Sequence, residues 1–158
     1  MASLPQIIDD YLAGTAMARQ AVAGMTREQV LARPVPGKWS TLEVVCHLAD
    51  FEPIFADRMK RVIALDRPPL FGADENRFAA ELAYHARDLD EELILIEQTR
   101  RQMARILGTL APAALARVGV HNERGPLTLE QLLAGATRHI PHHIKFISDK
   151  RRALGLET

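Results

Sequence analysis

Hydrophobic residues recur at intervals of three and four along most of the chain, which is the spacing of one face of an amphipathic helix. The pattern predicts four long helices, at residues 4–24, 41–65, 88–109 and 128–154. Two shorter helical segments are predicted near residues 27–32 and 112–117. Strand signals are nearly absent, and the one extended candidate is Val118–His121. The chain is therefore predicted to be an all-α protein.

Helix start signals support three of these boundaries. Ser3, Ser40 and Thr128 are each followed three residues later by Gln or Glu, which is the capping-box pattern. Pro53 and Pro141 fall inside predicted helices, where each removes one backbone hydrogen bond. Both project to the outer face of their helix, so we expect bends there rather than helix ends.

The connections between the long helices exceed the roughly 2–8 residues that a simple up-down bundle needs. Long connections allow a crossover from one end of a bundle to the other, and they often carry function. The sequence therefore predicts crossover connections and a mouth that is lined by loops.

Length and composition predict a single domain over residues 1–158. Twenty basic residues balance twenty acidic ones, so there is no overall attraction to nucleic acids or to an anionic membrane. No apolar run approaches the length of a membrane span, and the N-terminus lacks the basic region of a signal peptide. The single cysteine, Cys46, excludes an intrachain disulfide and fits a reducing compartment. A cytoplasmic protein is expected.

Two histidines on the last predicted helix are candidate metal ligands. His139 and His143 lie one turn apart on the shoulder of the apolar stripe, while His142 points away from it. His47 lies at the edge of the core stripe of the helix at 41–65 and could supply a third imidazole. Three histidines with one open coordination position are typical of a catalytic metal. A histidine taken singly is more often an ordinary core or surface residue.

Three further residues are weaker candidates. Glu52 falls inside the core stripe of its helix, where a carboxylate needs a partner. That partner could be a ligating imidazole or a basic side chain. His121, in the connection before the last helix, could face the mouth of the site and bind substrate, with a surface position as the alternative. Asp50 lies near His47 in the sequence.

The two segments GKWSTLEVVCHLADFEPIF and GPLTLEQLLAGATRHIPHHIKFI together carry a family resemblance. The chain resembles the DinB/YfiT-like superfamily of four-helix-bundle metalloenzymes. The shared elements are a Trp-Ser helix start, a histidine with an acidic residue soon after, and a His-x-x-x-His near the end. In this chain they are Trp39-Ser40, His47, Asp50 or Glu52, and His139 with His143.

The resemblance implies a bundle with up-up-down-down connectivity that frequently forms a homodimer. It also implies a divalent metal, nickel or zinc, with manganese and iron as alternatives, on His47, His139 and His143 plus water. Glu52 or Asp50 would orient an imidazole or accept a proton. Characterised relatives of this kind use low-molecular-weight thiols as substrates.

The leading hypothesis is a metal-dependent enzyme, either a thiol-dependent S-transferase or a metal-assisted hydrolase. Its rivals are a non-catalytic bundle that binds a metal or a partner, and a plain helical bundle without metal. The fourth coordination position discriminates between the first two. A protein carboxylate or fourth histidine that closes it would favour the non-catalytic bundle.

Overall fold

The computed structural model describes residues 3–156. Its helices are α1 (Leu4–Val22), α2 (Arg27–Leu31), α3 (Thr41–Ala64), α4 (Glu75–Glu81), α5 (Leu89–Leu107) and α6 (Leu129–Ala153). Three short strands accompany them: β1 (Pro69–Leu70), β2 (Val118–His121) and β3 (Gly125–Thr128). Turns of 3-10 helix lie at Tyr84–Ala86 and Pro112–Ala116. None of the helices just named is long and apolar enough to cross a membrane.

The four long predicted helices are confirmed as α1, α3, α5 and α6, and the extended candidate is β2. Capping boxes form at Ser40 and Thr128, each with both hydrogen bonds present. The Ser3 side chain accepts a hydrogen bond from the Gln6 backbone N–H. Both α3 and α6 continue past their internal prolines, Pro53 and Pro141, as the sequence predicted.

Two core layers show the directions of the four long helices. One layer joins the early residues of α1 and α6 to the late residues of α3 and α5, for example Tyr11 and Leu133 with Met59 and Met103. The other layer joins the late residues of α1 and α6 to the early residues of α3 and α5. Helices α1 and α6 therefore run in one direction, and α3 and α5 run in the other.

The four-helix bundle is confirmed, but its connectivity is up-down-down-up. The up-up-down-down order expected from the resemblance is wrong for this chain. Because α3 and α5 are parallel neighbours, the segment between them must return along the length of the bundle. Strand β1, helix α4 and the Tyr84–Ala86 turn lie on this return segment.

A small sheet closes one end of the bundle. Strand β2 lies in the middle, parallel to β1 and antiparallel to β3. Gly119 on β2 is buried, and a Cβ there would lie 2.8 Å from side-chain atoms of Val62 and of Leu70. Strands β1 and β3 were not predicted from the sequence, because they are only two and four residues long and each contains a proline, which is unfavourable in strands.

One buried ion pair ties the four long helices together. Arg100 on α5 donates to both Glu52 carboxylate oxygens on α3, at 2.9 and 2.6 Å. The same guanidinium donates to the backbone carbonyls of Tyr11 on α1 and Ala136 on α6. Gly14 on α1 leaves the necessary space, since a Cβ there would lie 2.3 Å from Arg100 Nη1. Arg100 thus contacts each of the other three long helices.

We expect Arg100→Met to lower the free energy of unfolding by about 3–5 kcal/mol, because it leaves the buried Glu52 carboxylate without its cation. Urea titration followed by circular dichroism measures the change. The double variant Glu52→Gln/Arg100→Met should recover part of the loss, since it leaves no buried charge.

Arg19→Met is the matched control, because Arg19 forms its ion pairs with Asp90 and Glu97 at the partly exposed surface. Exposed pairs of this kind contribute under about 1 kcal/mol. Equal losses in the Arg19 and Arg100 variants would contradict a central role for the buried pair.

Candidate metal centre

The three predicted histidines come from two antiparallel neighbouring helices. His47 lies in the first half of α3, and His139 and His143 lie on either side of the midpoint of α6, which is at Pro141. The i, i+4 spacing places the last two rings on one face of α6, as the wheel predicted, and leaves His142 exposed. The three rings meet in the half of the bundle that lies away from the sheet.

The three Nε2 atoms converge. His47 Nε2 lies 3.0 Å from His139 Nε2 and 3.2 Å from His143 Nε2. Metal–nitrogen bonds of about 2.0–2.1 Å that meet at roughly 90–110° place two nitrogens about 2.8–3.4 Å apart. The observed spacing therefore fits three imidazoles around one ion, and Pro141 does not prevent convergence.

Burial keeps the three imidazoles neutral. Desolvation lowers the pKa of His47 to about 4, although the nearby charge of Asp50 acts in the opposite direction. Desolvation, and then the neighbouring histidines, lower the pKa of His139 to about 2 and of His143 to about 3. Metal ligation requires a neutral ring with a free lone pair, so this set needs no proton release at neutral pH.

Hydrogen bonds alone do not satisfy the cluster. His47 Nε2 faces both other Nε2 atoms, and a ring nitrogen either donates or accepts. The Nδ1 atoms of His47 and His139 are buried without a hydrogen-bond partner in the described part of the chain. A cation at the centre would use one lone pair from each ring.

Aromatic side chains hold the rings in place. Phe51 packs 4.4 Å from the His47 ring centroid, and Trp39 lies 5.4 Å from it. Phe55 meets His139 edge-on at 5.1 Å. These contacts restrict the rotamers of the imidazoles and exclude water from the bundle side of the cluster.

Sequence reasoning missed one carboxylate at this site. Glu75, the first residue of α4, has its Oε2 atom 3.8 Å from His47 Nε2, and its side chain is 53% exposed. Asp74 caps α4 by accepting from the backbone N–H groups of Asn76 and Arg77. That cap signal could have revealed the helix, but not its position beside His47.

A cleft of about 400 Å³ opens beside the cluster. Its lining includes His143 of the cluster, Glu75, Trp39, Lys38 and Lys150. In the residues that the structure describes, the group able to hold a metal consists of the three histidines alone. The cluster is thus accessible to a small molecule and has no fourth protein ligand in that group.

A family sequence model described as the DinB superfamily matches residues 11–147, a segment that includes all three histidines. The chain belongs to the DinB superfamily. The resemblance seen in the two sequence segments is therefore confirmed.

Relatives carry names that refer to metal-dependent hydrolysis. "Putative metal-dependent hydrolase YfiT" of Bacillus subtilis is 28% identical over 138 residues, which is 87% of this chain and 78% of that protein. A similarly named protein of Oceanobacillus iheyensis is 26% identical over 130 residues, covering 82% of this chain and 75% of that protein. The solved structure of the Bacillus subtilis YfiT superposes with a TM-score of 0.91 at 25% identity, covering 99% of this chain and 92% of that one. That protein is described as "a probable metal-dependent hydrolase with an unusual four-helix bundle topology".

The two acidic candidates contact arginines instead of imidazoles. Glu52 pairs with Arg100, so of the two partners left open the basic side chain is the one found. Asp50 receives two hydrogen bonds from Arg87, at 2.7 and 3.2 Å. The expectation that either carboxylate orients a ligating imidazole is wrong, because a guanidinium offers opposite charge and several donors. A proton-accepting role for either residue stays an untested prediction.

His121 lies at the sheet end of the bundle, on the last position of β2. It is buried, and its Nδ1 atom accepts a hydrogen bond from the Glu123 backbone N–H at 3.2 Å. The expected position at the mouth of the site is wrong, because strand pairing with β1 and β3 fixes His121 away from the cleft.

We expect wild-type protein to bind close to one divalent ion per chain, and His143→Ala to lose at least about 100-fold in metal affinity. The reason is that two imidazoles hold a cation much less tightly than three. Elemental analysis and competition with a chromophoric chelator measure stoichiometry and affinity.

His142→Ala is the matched control, since it removes the exposed neighbour of the same helix. Unchanged metal content in His143→Ala, or equal losses in both variants, would contradict the three-histidine site.

Proposed function

We propose that the protein is a metal-dependent enzyme that activates a thiol or a water molecule for attack on a small electrophilic substrate. The reaction is then a thiol-dependent S-transfer or a metal-assisted hydrolysis. The observation that carries the proposal is the convergence of three neutral histidine Nε2 atoms beside an open cleft that His143 lines.

The donor set suits catalysis more than structural binding. Three neutral imidazoles leave the full charge of a divalent cation available. Such a cation supplies Lewis acidity, which makes a thiol or a water molecule nucleophilic near neutral pH. His47 is fixed on α3 by Trp39 and Phe51, so the ligands are held before substrate binds.

Glu75 is the carboxylate in position to take the proton that a thiol or water loses. It contacts His47 and lies on the cleft wall, whereas Glu52 and Asp50 are occupied by arginines. Its half-exposed side chain can reach the substrate and exchange protons with solvent.

The non-catalytic alternative requires a closed fourth position. Among the described residues, Glu75 is the carboxylate found in contact with the histidine cluster. It is not part of the group of side chains placed to share one metal ion. An open position and an adjoining cleft therefore favour the enzyme. The names of the relatives support hydrolysis, and the family resemblance supports thiol chemistry.

A paired screen distinguishes the two reactions. We expect metal-loaded protein to catalyse either transfer of a low-molecular-weight thiol to an electrophilic acceptor or hydrolysis of ester and amide substrates. The activity should disappear in His143→Ala and persist in His142→Ala. Metal-loaded protein that is inactive in both broad screens would favour the non-catalytic bundle.

Glu75→Gln tests whether this carboxylate closes the metal shell. We expect the variant to retain metal affinity within about tenfold of wild type, as for a residue outside the ligand set, while turnover falls by about 100-fold. Chelator competition and steady-state kinetics measure the two effects. A loss of metal as large as that of His143→Ala would instead indicate a closed shell.

The homodimer, the identity of the metal and a thiol partner remain predictions. Light scattering of the purified protein measures the first, and metal analysis of protein purified without chelators or an affinity tag measures the second.

A further inference from the structure

A buried lysine lies in the same cleft as the histidine cluster. Lys150 on α6 is only 3% exposed, yet it lines the cleft together with His143. The two residues are seven apart, which is two helical turns or about 10.5 Å along the axis. The Lys150 Nζ atom donates to the Phe146 backbone carbonyl at 3.1 Å, so the side chain points back toward His143.

The Lys150 ammonium has no counter-ion within ion-pair distance among the described residues. The acidic side chains whose charges act on Lys150 are Asp149 and Glu43. Asp149 pairs with Arg152, and both Glu43 carboxylate oxygens are used by Arg33 and the Ser40 N–H. An ammonium has three donors, and the Phe146 carbonyl takes one of them. Burying an unpaired charge is unfavourable, so an anion in the cleft would relieve it.

The acidic and basic side chains of the cleft form two groups, since Glu75 is not among the charges that act on Lys150. Glu75 lies beside His47. Lys150 and the exposed Lys38 form a second, positive part, since the charge of Lys38 acts on Lys150. A ligand that spans the cleft would meet the histidine cluster at one end and two ammonium groups at the other.

We propose that Lys150, assisted by Lys38, binds an oxyanion of the substrate. The substrates are then small molecules that carry a carboxylate or a phosphate remote from the reacting atom. This inference rests on the proposed function, because the reacting atom is placed at the histidine cluster. It adds the chemical feature by which the substrate is selected.

Metal-binding thiols that differ only at their far end test the proposal. The probes are the mercaptocarboxylates from 3-mercaptopropionate to 6-mercaptohexanoate, the corresponding mercaptoalcohols, and 2-mercaptoethyl phosphate. Trp39 is the only tryptophan and lines the cleft, so its fluorescence reports binding to zinc-loaded protein. We expect at least one acid to bind about 10-fold to 100-fold more tightly than its alcohol, as for a charge-assisted hydrogen bond. Comparison with the phosphate identifies which oxyanion is preferred.

Lys150→Met should remove this preference for the acid while alcohol binding and zinc content stay at wild-type values. Lys150→Arg should retain most of the preference, and Lys38→Met should reduce it in part. Lys145→Met is the matched control, because it removes an exposed lysine of the same helix that does not line the cleft. Should Lys150→Met fail to fold, Lys150→Arg and Lys38→Met still provide the comparison.

Equal affinity of wild type for acids and alcohols, or a preference that survives in Lys150→Met, would overturn the inference. Such a result with zinc bound leaves the proposed metal enzyme intact. Failure of the protein to bind any of zinc, nickel, manganese and iron would instead overturn the proposed function itself.

Discussion

The bundle depends on a single guanidinium group at its centre. Arg100 bonds to Glu52 on α3 and to backbone carbonyls of α1 and α6, and it lies over the Tyr11 ring at 4.4 Å. A buried cation tolerates few alternative geometries, so these bonds fix which turn of each helix faces its neighbours. Glu52 follows His47 by five residues, and Ala136 precedes His139 by three. The register set by Arg100 therefore also sets the convergence of the histidines.

Burial shapes the candidate site in two opposite ways. It keeps the three imidazoles neutral, which prepares lone pairs for a cation. It also leaves the Lys150 ammonium with a single carbonyl partner, which makes the same cleft receptive to an anion. The candidate metal site and the proposed anion site thus adjoin the same cleft, while the small sheet closes the other end of the bundle.

The parallel arrangement of α3 and α5 explains the long connection between them. This segment must travel back along the bundle, and it covers the outer side of α3 as it does so. Helix α4 brings Glu75 to the histidines, and the Tyr84–Ala86 turn covers Cys46. Burial raises the pKa of the Cys46 thiol to about 12, so the connection protects this cysteine as well as completing the cleft.

Local spacing determined the helices and the histidine pair from the sequence alone. Apolar periodicity and the caps at Ser40 and Thr128 act within a few residues, and so does the i, i+4 spacing of His139 and His143. The order of the Trp-Ser, histidine and His-x-x-x-His motifs along the chain further indicated the family, and it indicated His47 as the third histidine. The direction of α5, the pairing of Glu52 with Arg100 and the position of His121 required the tertiary structure, as did the approach of Glu75 to His47. Each of these features joins segments that lie far apart in the chain. The sequence pattern leaves several partners possible for each side chain, and the free energy of burying a charged or polar group decides which partner it has.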